Sequence, residues 1–216
     1  MRVLKKILKL FRKNKYYYNP RKYYYEKLLD NYSSIESYIG LVKHNDKQAL
    51  LTDLDISFSN EPDFKKNPKI YTQKNYGKPN YTIVNNFPFG EITILFYRIF
   101  LGNYKAKLKL HFFQNSLIVY SYTFSYLGNG SEKKNILNVL KEKYKINKDI
   151  IPNECYIVNK KGTMITFSDN IDLTIYYIDY INSAIYDQMN NIIKGDQQLK
   201  ERKIKKVTNR VEVRGL

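Results

Sequence analysis

Hydrophobic and polar positions alternate most clearly between Glu91 and Tyr126, in the run EITILFYRIFLGNYKAKLKLHFFQNSLIVYSYTFSY. In its middle part Ala106, Leu108, Leu110 and Phe112 alternate with Lys105, Lys107, Lys109 and His111. That is the period of two expected of a strand with one buried face. Gly102-Asn103 separates this part from Ile92–Leu101, and Gln114-Asn115-Ser116 is a turn into Leu117–Phe124. The stretch therefore predicts an antiparallel meander, with His111 and its lysine neighbours on the watery side.

The flanking segments supply the remaining elements. Tyr23 to Val42 predicts a helix with Leu28, Leu29, Tyr32, Ile35, Tyr38 and Ile39 as its apolar side, and Leu50–Phe58 a short strand. Residues 60–68 are polar and proline-punctuated, a surface loop and the best internal seam. Pro68–Tyr76 is a short helix stopped by Gly77 with Pro79 beyond it, and Tyr81–Val84 is a strand followed by a loop over Asn85–Gly90. With Ser131 as N-cap, a second helix reaches about Lys145, turning Ile136, Leu137, Val139, Leu140 and Tyr144 inward. Lys133, Lys134, Lys141, Lys143 and Lys145 then form its solvated face. Tyr156–Val158, Met164–Ser168 and Leu173–Ile178 are strands at hairpin spacing. A last helix covers Ile181–Lys206, with Ala184, Ile185, Met189, Ile192 and Ile193 inward, and the end KERKIKKVTNRVEVRGL is a mobile basic tail. The fold class is α+β: an antiparallel sheet of about six or seven strands in a meander, with helices packed on one face and at both ends. Residues 1–59 form a basic helical portion, either separate or integral to the same domain, 60–196 the sheet and its helices, and 197–216 the tail.

Charge changes this picture only at the ends. The net charge is +17, and residues 1–30 hold ten Lys or Arg against Glu26 and Asp30. Residues 197–216 hold seven against Glu201 and Glu212, so the body between is close to neutral. Val3, Leu4, Ile7, Leu8 and Phe11 fall on one helical stripe with Lys5, Lys6, Lys9, Arg12 and Lys13 around it. Such a basic amphipathic helix lies on an anionic membrane surface or docks its stripe on the protein's own core. Tyr16, Tyr17 and Tyr24, with Arg21 and Lys22, mix rings and cations as single-stranded nucleic-acid binders do; packed tyrosines with wet hydroxyls explain the same letters. No apolar run approaches the roughly 20 residues that span a bilayer, and lysines interrupt the start where a signal peptide would be apolar. The expected location is the cytoplasm, peripheral to the inner face of the membrane if the first helix anchors there. The 22 tyrosines sit beside abundant Lys, Asn and Ile, as AT-rich coding produces, and carry little functional meaning.

Candidate chemistry is sparse. Two histidines, His44 and His111, and one cysteine, Cys155, leave no CxxC, HExxH, GxxxxGK[ST] or GxGxxG pattern. Cys155 reads as a small buried hydrophobe. Asp53 and Asp55 share one side of a strand, and Asp169 and Asp172 occupy a turn with Asn170; both pairs read as solvated surface. No cofactor, no metal and no catalytic residue is expected.

The phrase KNILNVLKEKYKI followed by CYIVNKKGTMITFSDNIDLTIYYID resembles small bacterial proteins of the SmpA/OmlA-like type. Two successive units, each a short helix ending near YGKP or KYKI and then antiparallel strands, carry the likeness over residues 68–180. It implies a helix packed on one sheet face and a role in partner binding; the lipobox cysteine of the exported members is absent from this sequence. The expected function is thus a non-catalytic interaction protein that holds a protein partner by a sheet face or edge, immunity-like or antitoxin-like. Attachment to an anionic membrane and nucleic-acid binding by the basic, tyrosine-rich termini are the alternatives.

Overall fold

The computed structural model of the chain describes residues 32–44, 46–56, 68–125, 127, 130–179 and 184–214, with side chains through residue 200. The elements in chain order are α1 (Ile35–Val42), β1 (Gln48–Thr52), α2 (Pro68–Tyr76), β2 (Tyr81–Phe87), β3 (Gly90–Leu101), β4 (Tyr104–Phe113) and β5 (Ser116–Phe124). They continue with α3 (Gly130–Lys143), β6 (Cys155–Asn159), β7 (Met164–Asp169), β8 (Leu173–Ile178) and α4 (Ala184–Arg214). The fold is α+β, and one sheet takes all eight strands in the order β1-β6-β7-β8-β5-β4-β3-β2.

The expected meander is extended at its N-terminal end by β2. β2 runs to Phe87 rather than stopping at Val84, because Asn85–Phe87 pair with Gly90–Ile92 across the two-residue Pro88-Phe89 turn. Gly90 closes that turn at φ +133, a backbone region open to glycine alone, and a Cβ there would lie 2.9 Å from Phe113 Cε2. Gly90→Ala is expected to lose about 1–3 kcal/mol of stability in urea titration, and a variant as stable as the parent would refute the strain. Gly102 (φ +57) opens the two-residue β3–β4 turn, where a glycine at positive φ matches the strand twist. Between β4 and β5 the register shifts at His111/Phe112, so Ile118 is an extra residue and packs on the same side as Val119.

Three expectations about the sheet need correcting. It has eight strands, more than the six or seven expected. It is mixed, since β1 pairs parallel to β6, Gln48 opposite Cys155 through Thr52 opposite Asn159. Helices cover both faces instead of one. Leu95, Tyr97, Leu108, Leu110, Phe112, Tyr120 and Phe124 pack with Ile136, Leu137, Leu140 and Tyr144 at α3. On the opposite side Ile92, Ile94, Phe96, Val119 and Ile178 pack with Ile35, Tyr38 and Ile39 of α1 and Ile185 and Met189 of α4. Covering both faces buries residues at odd and even positions alike, which is why strict alternation gives way to continuous burial from Ile92 to Tyr97.

The helices differ from expectation at their margins. α1 starts at Ile35, where the Ser34 hydroxyl accepts from the Ser37 amide as N-cap; Leu28 and Leu29 lie outside the described residues. α2 and its stop at Gly77 (φ +71) are as expected. α3 begins at Gly130, so Ser131 is inside the helix, and Val139 points to solvent. Two of its lysines are paired rather than merely solvated: Lys133 meets Asp169 at 2.8 Å, and Lys141 bonds Asp149. α4 runs past the expected end at Lys206, its backbone helical through Arg214. α1 and β1, from the expected N-terminal portion, share the sheet and its core.

Candidate binding groove

The face of β3, β4 and β5 that α1 and α4 cover carries rows of side chains in register. In the outermost rows Phe100 stands opposite Lys105, and Arg98 opposite Lys107, which in turn faces Thr123 of β5 and Thr174 of β8. Thr123 and Thr174 are buried, but at the β3–β4 end the sheet opens as a groove of about 840 Å³ lined by Arg98, Phe100, Lys105 and Lys107 from this face and by Ile99, Tyr104 and Ala106 from the α3 side, with Thr123 and Ser125 of β5 and its exit. Phe100 is 68% exposed there, the largest exposed ring among the described residues. Leu127 and Glu132, at the entry to α3, close one side. Lys107 lies 3.8 Å from Asp172, whose Oδ2 accepts from the Ser125 hydroxyl at 2.7 Å. Among the described residues no carboxylate pairs with Arg98 or Lys105. The groove thus brings cations, hydroxyls and one bare ring together at the end of the sheet.

Inward from the groove the polarity continues under the helices. The next row is Phe96, Lys109, Ser121 and Tyr176, and the row after it Ile94, His111, Val119 and Ile178. Lys109 is 6% exposed and His111 fully buried, against the expectation that both face water. Their strand does present one side to a lysine-rich row, but Tyr32 and Tyr38 seal that side. Tyr38 Oη lies 3.0 Å from His111 Nδ1, and the Tyr32 ring meets the imidazole edge-on with centroids 4.6 Å apart. Lys109 Nζ donates to the Tyr32 hydroxyl at 3.4 Å, and Asn85 Nδ2 donates to the Tyr32 carbonyl at 2.8 Å.

Burial sets the protonation of this cluster. Loss of solvation, with the Lys109 charge adding to it, lowers the His111 pKa to about 3, so the imidazole is neutral. Burial pushes the Tyr32 hydroxyl up to about 12, partly offset by a hydrogen bond from Tyr176, itself raised chiefly by burial. Two buried polar atoms, His111 Nε2 and Ser121 Oγ, have no hydrogen-bond partner among the described residues. Each such orphan costs about 1–3 kcal/mol.

The other candidates fall apart or lie elsewhere. Asp53 and Asp55 sit just beyond the end of β1 and pair with Lys160 and Lys161 at 2.9 and 2.7 Å, an exposed set at the β6–β7 turn. Asp169 and Asp172 are tied separately to Lys133 and Lys107. Cys155 is buried, with Sγ 3.2 Å from the Ile151 carbonyl. His44 stacks on Tyr156 with centroids 4.3 Å apart, far along the chain from His111. Among the described residues no group of His, Cys, Asp and Glu is arranged to hold a metal ion, and no helix is long and apolar enough to cross a membrane. Val3, Leu4, Lys5, Ile7, Leu8, Lys9, Phe11 and Arg12, and Tyr16, Tyr17, Arg21, Lys22 and Tyr24, lie outside the described residues.

The groove escaped sequence reading because its members come from three strands. The signal was present in Lys105 and Lys107 at alternate positions, but Phe100 reads as part of an apolar run. No protein-family model, no curated protein and no solved structure matches this chain.

Proposed function

We propose that the chain is a non-catalytic interaction protein and that its partner is another protein, docking an acidic segment on the open end of the β3–β5 face. The observation that carries this reading is the exposed Phe100 set between Arg98, Lys105 and Lys107 at the open end of the sheet. An apolar ring within a cationic rim matches a segment that alternates carboxylates with an apolar anchor. Glu132 and Asp172 beside the groove favour a protein segment over a nucleic-acid strand, since each carboxylate repels a continuous run of phosphates. The chain also has the two successive helix-then-strand units, α2 with β2–β5 and α3 with β6–β8, on which the SmpA/OmlA-like resemblance rests.

A labelled peptide of alternating Glu and Leu tests the reading by fluorescence anisotropy. The double variant Arg98→Glu, Lys105→Glu is expected to bind it about tenfold more weakly or worse, with an unchanged melting curve. Equal affinity for parent and variant would reject the groove. Tighter binding of a single-stranded oligonucleotide than of the peptide would transfer the site to nucleic acid.

A further inference from the structure

We propose that the chain forms a twofold dimer in which β2 pairs antiparallel with β2 of a second copy, Val84 opposite Val84. The inference goes beyond the groove and does not rest on it. β2 is the last strand of the sheet, and among the described residues nothing pairs with its outer side. The hairpin with β3 fixes which backbone groups face outward. Phe87 and Gly90 flank a two-residue turn and so exchange both their hydrogen bonds. In the same register Asn85 does so with Ile92, Ile83 with Ile94 and Tyr81 with Phe96. The N–H and C=O groups of Thr82, Val84 and Asn86 therefore point away from β3, and these are the three exposed residues of the strand. Val84 is 50% exposed.

A free edge of this kind is ordinarily blunted by a charge, a proline or a very short strand. β2 is seven residues long and holds neither charge nor proline, and positions 79–90 carry no charged side chain in a chain of net charge +17. The opposite edge, β1, is five residues long and lies between Lys47 and the Asp53 and Asp55 ion pairs. The occupant is a second copy because the β2 edge is complementary to itself. With Val84 on the axis, Thr82 of each copy meets Asn86 of the other, and the three pairs make about six backbone hydrogen bonds. The side chains of these residues share the sheet face of Thr93 and Leu95, so Val84 packs on Val84 and the Thr82 hydroxyl meets the Asn86 amide. Antiparallel pairing also sets the Lys78 end of one copy beside the Glu91 end of the other, opposite in sign. A single strand pair buries an area at the low end for protein interfaces, so the association is weak and follows concentration.

Sedimentation velocity on the full chain tests the dimer. Raising the concentration from about 5 to about 300 µM is expected to carry the parent from monomer to dimer, the range of a small interface. Val84→Lys and Val84→Glu each set like charges face to face and are expected to weaken the dimer at least about tenfold, with unchanged melting curves. An equimolar mixture of the two is expected to dimerise again, because opposite charges then meet on the axis. A parent that stays monomeric over the whole range would overturn the dimer. Dimerisation of Val84→Lys equal to the parent's would overturn the β2 edge, and failure of the mixture would overturn the register on Val84. If melting curves show that a variant has failed to fold, the parent decides through hydrogen exchange at the Thr82, Val84 and Asn86 amides. Slower exchange in the dimer than in the monomer supports the pairing, and equal exchange overturns it. The Arg98→Glu, Lys105→Glu variant is expected to dimerise as the parent does, so loss of the groove and loss of the dimer are read separately.

Discussion

Lowering the pH from 7 to 4 is expected to remove about 3 kcal/mol of folding stability through His111 alone. The unfolded imidazole takes up its proton near pH 6.5, the folded one only near about 3. Between those values the unfolded chain binds more protons, so stability falls as the pH drops, by up to about 1.4 kcal/mol per unit, and is flat above about pH 7. At pH 5 the loss is about 2 kcal/mol. His44 is also lowered by burial and adds to the slope with the same sign. Urea titrations across this range on the parent and on His111→Gln check the assignment, because glutamine can still meet the Tyr38 hydroxyl but does not titrate. The growing positive charge of the whole chain in acid is common to both proteins and cancels in the difference. An equal slope in the two would place the acid sensitivity elsewhere.

Phe112→Ala is the substitution of largest expected cost, about 3–5 kcal/mol. Phe112 is fully buried beside Leu110 in the cluster that α3 closes. The ring it loses leaves space that the sheet backbone cannot collapse to fill. Since domains of this kind are stable by about 5–15 kcal/mol, the variant is expected to unfold at a much lower urea midpoint with an unchanged slope. Lys105→Ala, at the opposite end of the same strand and exposed, serves as the control with little effect. A small shift for Phe112→Ala would mean that the α3 side of the sheet repacks freely.

These two substitutions also mark how far the sequence could be read. Ala106, Leu108, Leu110 and Phe112 announce a buried face by their period, and the structure places them there. Lys109 and His111 announce a wet one. Their burial follows from Tyr32 and Tyr38, and Tyr38 stands 73 positions away from the histidine it bonds. A strand lysine looks the same whether solvent or a tyrosine lies above it, so local periodicity holds no trace of the second layer. The hairpins from β3 to β5 were legible because their turns are two residues long and carry Gly102 or Asn115, whereas the Pro88-Phe89 turn between β2 and β3 was hidden in what reads as a loop. The place of β6–β8 beside β5 was not, nor was the parallel pairing of β1, since nothing near Gln48 points to Cys155. The same distance hid the Asp53–Lys160 and Asp55–Lys161 pairs, which exist only because β1 lies beside β6. For the groove, the charges were legible and the ring that joins them was not.

The pairing of β1 with β6 has a consequence for how the protein is made. β1 leaves the ribosome with its sheet neighbour still unsynthesised, and roughly 5–20 s of elongation separate the two at ordinary translation rates. During that interval the β2–β5 meander can form from local contacts, but Gln48–Thr52 has no strand to add to. The nascent chain therefore carries a segment with an apolar Leu50-Leu51 centre that lacks its sheet neighbour until Asn159 has emerged.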